Sequence, residues 1–177
     1  MSQDALSEIL VAFQRVMHDA MANTAGVNPA DPVRVGYWPD NDLHNATGAV
    51  AQVIIDGEVN SIEGDTKDQY TVPVSTAIIA RLDLTSPSSQ PSGLLALNAA
   101  WFTVRRAIKR AYARRATEAN PFTPFAPLKI GGATRLTYGR HDQLADFSSM
   151  ASTWTVTFAA DPDTDRAVKQ PGGGGGG

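Results

Sequence analysis

The chain has 177 residues, 42% of them hydrophobic, which is enough apolar material for one domain with a sizeable core. It contains no cysteine, so disulfides, thiolate metal sites and cysteine nucleophiles are excluded and a reducing compartment is compatible. The net charge of −3 argues against a free DNA-binding protein, and no eighteen apolar residues run together, so no membrane span is expected.

The charge is unevenly spread. Residues 1–90 carry four basic and twelve acidic side chains, net −8, and residues 91–177 carry eleven and six, net +5. Opposite-sign halves permit head-to-tail contact between identical subunits, a heterologous interface that closes into a ring when the rotation suits. The same halves can also pair within one subunit.

The first element is an amphipathic helix over residues 3–22, with Ser2 as its N-cap and Asp4 in its first turn. Leu6, Ile9, Leu10, Phe13, Val16, Met17, Ala20 and Met21 form its apolar stripe, and Ser7, Gln14, Arg15 and His18 lie opposite. The charges Asp4, Glu8, Arg15 and Asp19 within this pattern do not suit a secretory signal. Asn23 to Pro32 reads as a loop, and Val33, Val35 and Tyr37 as a short strand ended by Pro39-Asp40-Asn41-Asp42. Residues 40–48 are expected to be loop. Ala49 to Ile55 is a second strand, and the turn dipeptide Asp56-Gly57 links it to a continuation at Glu58 to Ile62.

From Gln69 a long strand follows, in which Tyr70, Val72, Val74, Thr76, Ile78, Ala80, Leu82 and Leu84 alternate with the opposite face. Ser86 to Pro91 breaks it, because proline lacks the backbone donor that a sheet or helix needs. A second helix is expected over residues 92–117. Leu94, Leu97, Trp101, Val104, Ile108 and Tyr112 recur at helical spacing, with Leu95, Phe102 and Ala111 widening the stripe. Arg105, Arg106, Lys109, Arg110, Arg114 and Arg115 make its other face basic, either as a solvated helix C-terminus or as a contact surface for an acidic partner.

Asn120-Pro121 stops that helix, and Pro121 to Pro127 is an extended connector. Leu128 to Tyr138 is strand-like with a bulge at Gly131-Gly132, Arg140 to Ser149 is polar loop or a short helical turn, and Ser152 to Phe158 is the closing strand. The order predicts a single α+β domain over residues 1–160, a mainly antiparallel sheet packed against the two helices. Residues 161–177, polar and ending in six glycines, are expected to be a flexible tail.

Three constellations bear on chemistry. Asp40, Asp42 and His44 offer oxygen and imidazole ligands at alternating loop positions, but Asn45 and Ala51 stand where a calcium loop of the EF type needs glycine and a carboxylate. His141-Asp142 lacks a nucleophile turn to complete an acid–base set, and His18 falls on the polar side of its helix. Gly131-Gly132 is not a dinucleotide or phosphate loop. No catalytic residue, cofactor or metal is therefore expected. Nucleic acid is the other use of a cationic helix, but Trp101 and Tyr112 belong to the apolar stripe rather than to a stacking platform.

The element order resembles the tail terminator, or tail completion, proteins of long-tailed bacteriophages. The residues that carry the resemblance are the N-terminal helix, the Tyr37-Trp38 turn, Val53-Ile54-Ile55-Asp56-Gly57-Glu58, Tyr70-Thr71-Val72-Pro73-Val74, the Leu/Ala-rich helix ending in Arg and Lys, and Trp154-Thr155-Val156-Thr157-Phe158. It implies a structural virion protein that forms a homo-oligomeric ring, a hexamer, at the head-proximal end of the tail. There it ends tail-tube polymerisation and joins the tail to the neck, with DNA passing through the lumen. A head-completion or connector-adaptor protein of the neck is the alternative of the same texture. The implied partners are further copies of the chain, the tail tube protein and a neck protein, in the virion or in host cytoplasm during assembly.

Overall fold

The computed structural model describes residues 4–22, 24, 26–27, 31–81, 90–131, 135–141 and 144–170, with backbone alone at 90–94, 135–141 and 144–146. Helix α1 (Ala5–Met21) begins at Asp4, whose extended backbone and side chain make it the N-cap: its carboxylate accepts from the Ser7 amide at 2.8 Å. The cap is thus Asp4 rather than Ser2, which lies outside the described residues. Asp4→Ala is expected to lower stability by about 1 kcal/mol, read as a drop in thermal midpoint, because the amide it satisfies has no helical partner.

The remaining elements are β1 (Val33–Val35), α2 (Asp40–Asn45), β2 (Val50–Ile55), β3 (Asn60–Ile62), β4 (Asp68–Arg81), α3 (Gln90–Arg114), β5 (Leu128–Ile130), β6 (Arg135–His141), β7 (Leu144–Asp161) and β8 (Arg166–Ala167). All the strands join one mixed sheet with the path β1-β2-β4-β7-β5. Its ladders are antiparallel except the parallel pair β1 and β2, so the class is α+β, as the sequence predicts.

The spine of the sheet is the β4–β7 ribbon, paired from Asp68↔Ala160 to Arg81↔Phe147. Strand alternation sends Val72, Val74, Thr76, Ile78 and Ala80 of β4 to one face, together with Met150, Ser152, Trp154, Val156 and Phe158 of β7. There α1 and α3 cover them. Ile9, Phe13 and Met17 of α1 and Leu97, Trp101, Val104 and Ile108 of α3 complete a continuous core. On the other face a smaller cluster of Leu43, Val50, Ile79 and Phe147 holds α2 against the sheet.

Both flanks of the ribbon carry interrupted strands. On β4, Ile55 faces Val74 and Asn60 faces Thr71, so five residues advance against three and β3 resumes on the edge that β2 left. Asp56-Gly57 is therefore a bulge within one edge rather than a hairpin turn; Gly57 has φ +130°, where a Cβ would lie 3.1 Å from Pro73. On β7, Ile130 faces Val156 and Arg135 faces Thr153, the same slip between β5 and β6. Gly131 begins that break, and Gly132 lies outside the described residues.

Several boundaries differ from the sequence reading. Residues 40–45 are helical instead of loop, because Leu43 is buried between Val50, Ile79 and Phe147. Residues 140–141 and 144–149 are strand rather than loop or helical turn, held by the pairing of β7 with β4 and β6, and residues 142–143 lie outside the described residues. Helix α3 runs from Gln90 to Arg114, shifted by about a turn from the expected 92–117. Leu82 and Leu84 lie outside the described residues. Leu95 and Phe102 do not widen the buried stripe: they are 68% and 55% exposed.

The segment expected to begin a flexible tail folds back as far as Gln170. Asp161 caps a turn by accepting from the Asp163 and Thr164 amides, β8 then pairs with the end of β7, and the Ala126 amide donates to Val168. Residues 161–170 thus form a strap between β7 and the Pro/Phe connector. The remainder of the expected tail, residues 171–177, lies outside the described residues.

Candidate interaction surfaces

The six cations of α3 divide into two sets. Arg114 pairs with Glu118 one turn on, and Arg115 donates to the Tyr112 carbonyl at 2.8 Å and lies over the Tyr112 ring. Arg105 is half-buried over the Trp101 ring, 5.3 Å from its centroid, and its buried Nε has no hydrogen-bond partner among the described residues. Arg106, Lys109 and Arg110 are exposed and make no ion pair among the described residues. They share the outer side of α3 with Leu95 and Phe102, and the Phe102 ring meets Trp101 edge-on at 4.8 Å. The result is one stripe, apolar towards the start of the helix and cationic towards its end.

Trp101 itself belongs to the core. Its indole N–H donates to the Ser152 hydroxyl at 3.1 Å, so the ring is not free to stack on a base.

The Asp40, Asp42 and His44 set is dispersed by its own helix. Asp42 accepts from Arg34 at 3.0 Å, and the His44 ring meets the Asp40 carbonyl at 2.8 Å and packs edge-on against Phe147. Among the described residues no group of three His, Cys, Asp or Glu side chains is placed to hold a metal ion. His18 is exposed beside Asp19, the side chain of His141 is not described, and Asp142 lies outside the described residues. No described helix is long and apolar enough to cross a membrane.

Two surfaces are not visible in the sequence. At the β3 end of the molecule Asp56, Glu58, Glu63 and Asp65 are exposed around Ile62, which is 69% exposed. Burial raises the nearby Tyr70 hydroxyl above its ordinary pKa, and the carboxylates of Asp165, Asp68, Glu63 and Asp4 raise it further. From the β3–β4 turn across to β5, a groove of about 590 Å³ is lined by Lys67, Arg115, Lys129 and Lys169 beside Phe125 and Pro127. A second groove of about 350 Å³ shares Lys67, Pro127 and Lys129 and extends it on to the uncovered sheet face at Thr157. Only summed position, and no local motif, brings these cations together.

The fold and surfaces define an α+β protein with two opposite-sign surfaces and an exposed apolar–cationic helix. The chain matches no protein-family model and no curated protein sequence.

Proposed function

We propose that this chain is a structural virion subunit forming a ring, of six copies by the resemblance, at the head-proximal end of a bacteriophage tail. It ends tail-tube polymerisation there and joins the tail to the neck. The observation that carries this reading is the α3 stripe, where exposed Leu95 and Phe102 adjoin the unpaired Arg106, Lys109 and Arg110. Exposed aromatic and arginine side chains grouped on one rigid helix have the composition of interface anchors rather than of a solvated surface. The element order resembling tail terminators supplies the assembly, and the long β4–β7 ribbon supplies a stiff wall for it. In this reading the α3 stripe meets the tail tube or the neck protein, and DNA passes through the lumen.

Sedimentation and electron microscopy of the purified chain, alone and with the tail tube protein, test the reading. Rings are expected, and tubes capped by the chain are expected to stop growing. Arg106→Glu with Arg110→Glu is expected to lower capping at least about tenfold while leaving the circular dichroism spectrum unchanged. A chain that remains monomeric and does not cap tubes overturns the proposal. Retention on DNA that falls steeply with salt, without rings, would instead establish a nucleic-acid-binding module.

A further inference from the structure

The acidic lobe around β3 and the cationic groove lie at the same end of the β4–β7 ribbon, and the groove runs from Lys67 in the β3–β4 turn across to Lys129 of β5. In the path β1-β2-β4-β7-β5 the lobe hangs from the β2 side of β4, and the groove opens on the β5 side of β7. Their chemistry is matched in two respects. Asp56, Glu58, Glu63 and Asp65 meet no cation among the described residues, and neither Lys67 nor Lys129 meets an acid there. Ile62 projects uncovered from the lobe, and the groove presents exposed Pro127 beside Phe125, whose ring is buried beneath the Lys169 ammonium. Lys169 and Arg115 are held in place by Glu8 and by the Tyr112 carbonyl and ring, so part of the cationic wall is ordered before anything binds.

We propose that the acidic lobe of one copy of the chain docks in the cationic groove of the next, with Ile62 against Pro127. This rests on the ring reading and assigns its subunit–subunit contact. Two different, complementary patches on one copy make a heterologous contact, and repeating it closes into a ring when the rotation between copies suits. The α3 stripe is left free for the tube or the neck.

The test is a charge swap. Lys67→Glu with Lys129→Glu takes the four-cation groove to no net charge against an acidic lobe, and Glu63→Lys with Asp65→Lys takes the four-carboxylate lobe to no net charge against a basic groove. Each variant alone is expected to self-associate at least about tenfold more weakly than the wild type in sedimentation. An equimolar mixture is expected to regain association, because the reversed side chains of one variant then meet those of the other, and the alternate contact is the unaltered lobe in the unaltered groove. The absence of native cysteine allows a second readout: Glu63→Cys chains mixed with Lys129→Cys chains and a short bismaleimide are expected to yield heterodimers in excess of either homodimer. Wild-type rings that persist in both charge-reversed variants, or assembly that stops at dimers, overturn the docking and leave the ring reading to its own test. A monomeric wild type with no preferred heterodimer, even on tubes, removes both.

Discussion

Trp154→Ala is expected to lower the stability of the chain by about 3–5 kcal/mol, measured as a shift of the urea unfolding midpoint. Trp154 is the largest fully buried side chain, seated at the centre of the β4–β7 ribbon opposite Val74 and beneath the helices. Its indole N–H donates to the Thr76 hydroxyl at 2.9 Å, and Thr76 stands directly across the ladder from Ser152, which accepts from Trp101. The two hydroxyl residues at core-facing positions are therefore not errors of the apolar pattern. They satisfy the two indole donors that such a core would otherwise strand. Ser152→Ala is expected to cost about 1–3 kcal/mol by leaving the Trp101 donor buried and unpaired. Trp154→Phe, which retains most of the volume, should fall well short of the alanine variant. If Ser152→Ala is neutral and Trp154→Phe is as damaging as alanine, the pairing of hydroxyl with indole is not what holds this layer.

The same ribbon separates what local pattern encodes from what only the assembled sheet imposes. Strand β4 is legible in the sequence because its even positions are apolar almost without break, and from Val74 to Ala80 it is buried on both faces. Only the Ser152–Phe158 part of β7 is legible, since Asp146, Ser148 and Ser149 interrupt the alternation of its first half. Ser148 and Ser149 are strand because β4 offers them a ladder at Ala80 and Ile79, an influence that acts across more than sixty residues of chain. Turn-type composition points to loop at Asp40–Asn45, but a single leucine in a satellite core is enough to make it a helix. At α3 the period is right and the width of the stripe is not. Helix α1 shares the sheet with α3, so among the described side chains of α3 the core buries Leu97, Ala100, Trp101, Val104 and Ile108, and leaves Leu95 and Phe102 outside. Of the six cations predicted on that helix, only those with no local partner keep their full charge for another molecule. The groove and the Glu8 site are invisible in the sequence because their members come from separate segments that meet only in the fold.

Glu8→Gln is expected to release the strap of residues 161–170, at a cost of about 1–3 kcal/mol. Glu8 is 6% exposed on the inner side of α1, where a carboxylate needs donors. It accepts from Lys169 at 2.9 Å, Arg166 at 3.2 Å and the Ala167 amide at 3.1 Å. Burial pushes its pKa up, but the Lys169 and Arg166 contacts and the Ala167 amide together outweigh burial and hold it below the ordinary glutamate value. The cost stays below that of a fully buried ion pair because Arg166 and Lys169 are themselves about half exposed and regain water when the carboxylate is lost. A lowered carboxyl pKa means that the unfolded chain binds the proton more readily. The contribution is thus complete above the ordinary glutamate range and disappears as pH falls through the lower folded value. Acidification should narrow the gap between wild type and Glu8→Gln, with hydrogen exchange at Ala167 and Val168 rising first in the wild type. The strap carries Lys169 into the cationic groove, so the Gln variant should also weaken self-association while α1 and the β4–β7 ribbon remain protected. A stability difference that does not change with pH, or exchange that rises equally throughout the sheet, would mean that Glu8 is held by packing and not by its charge.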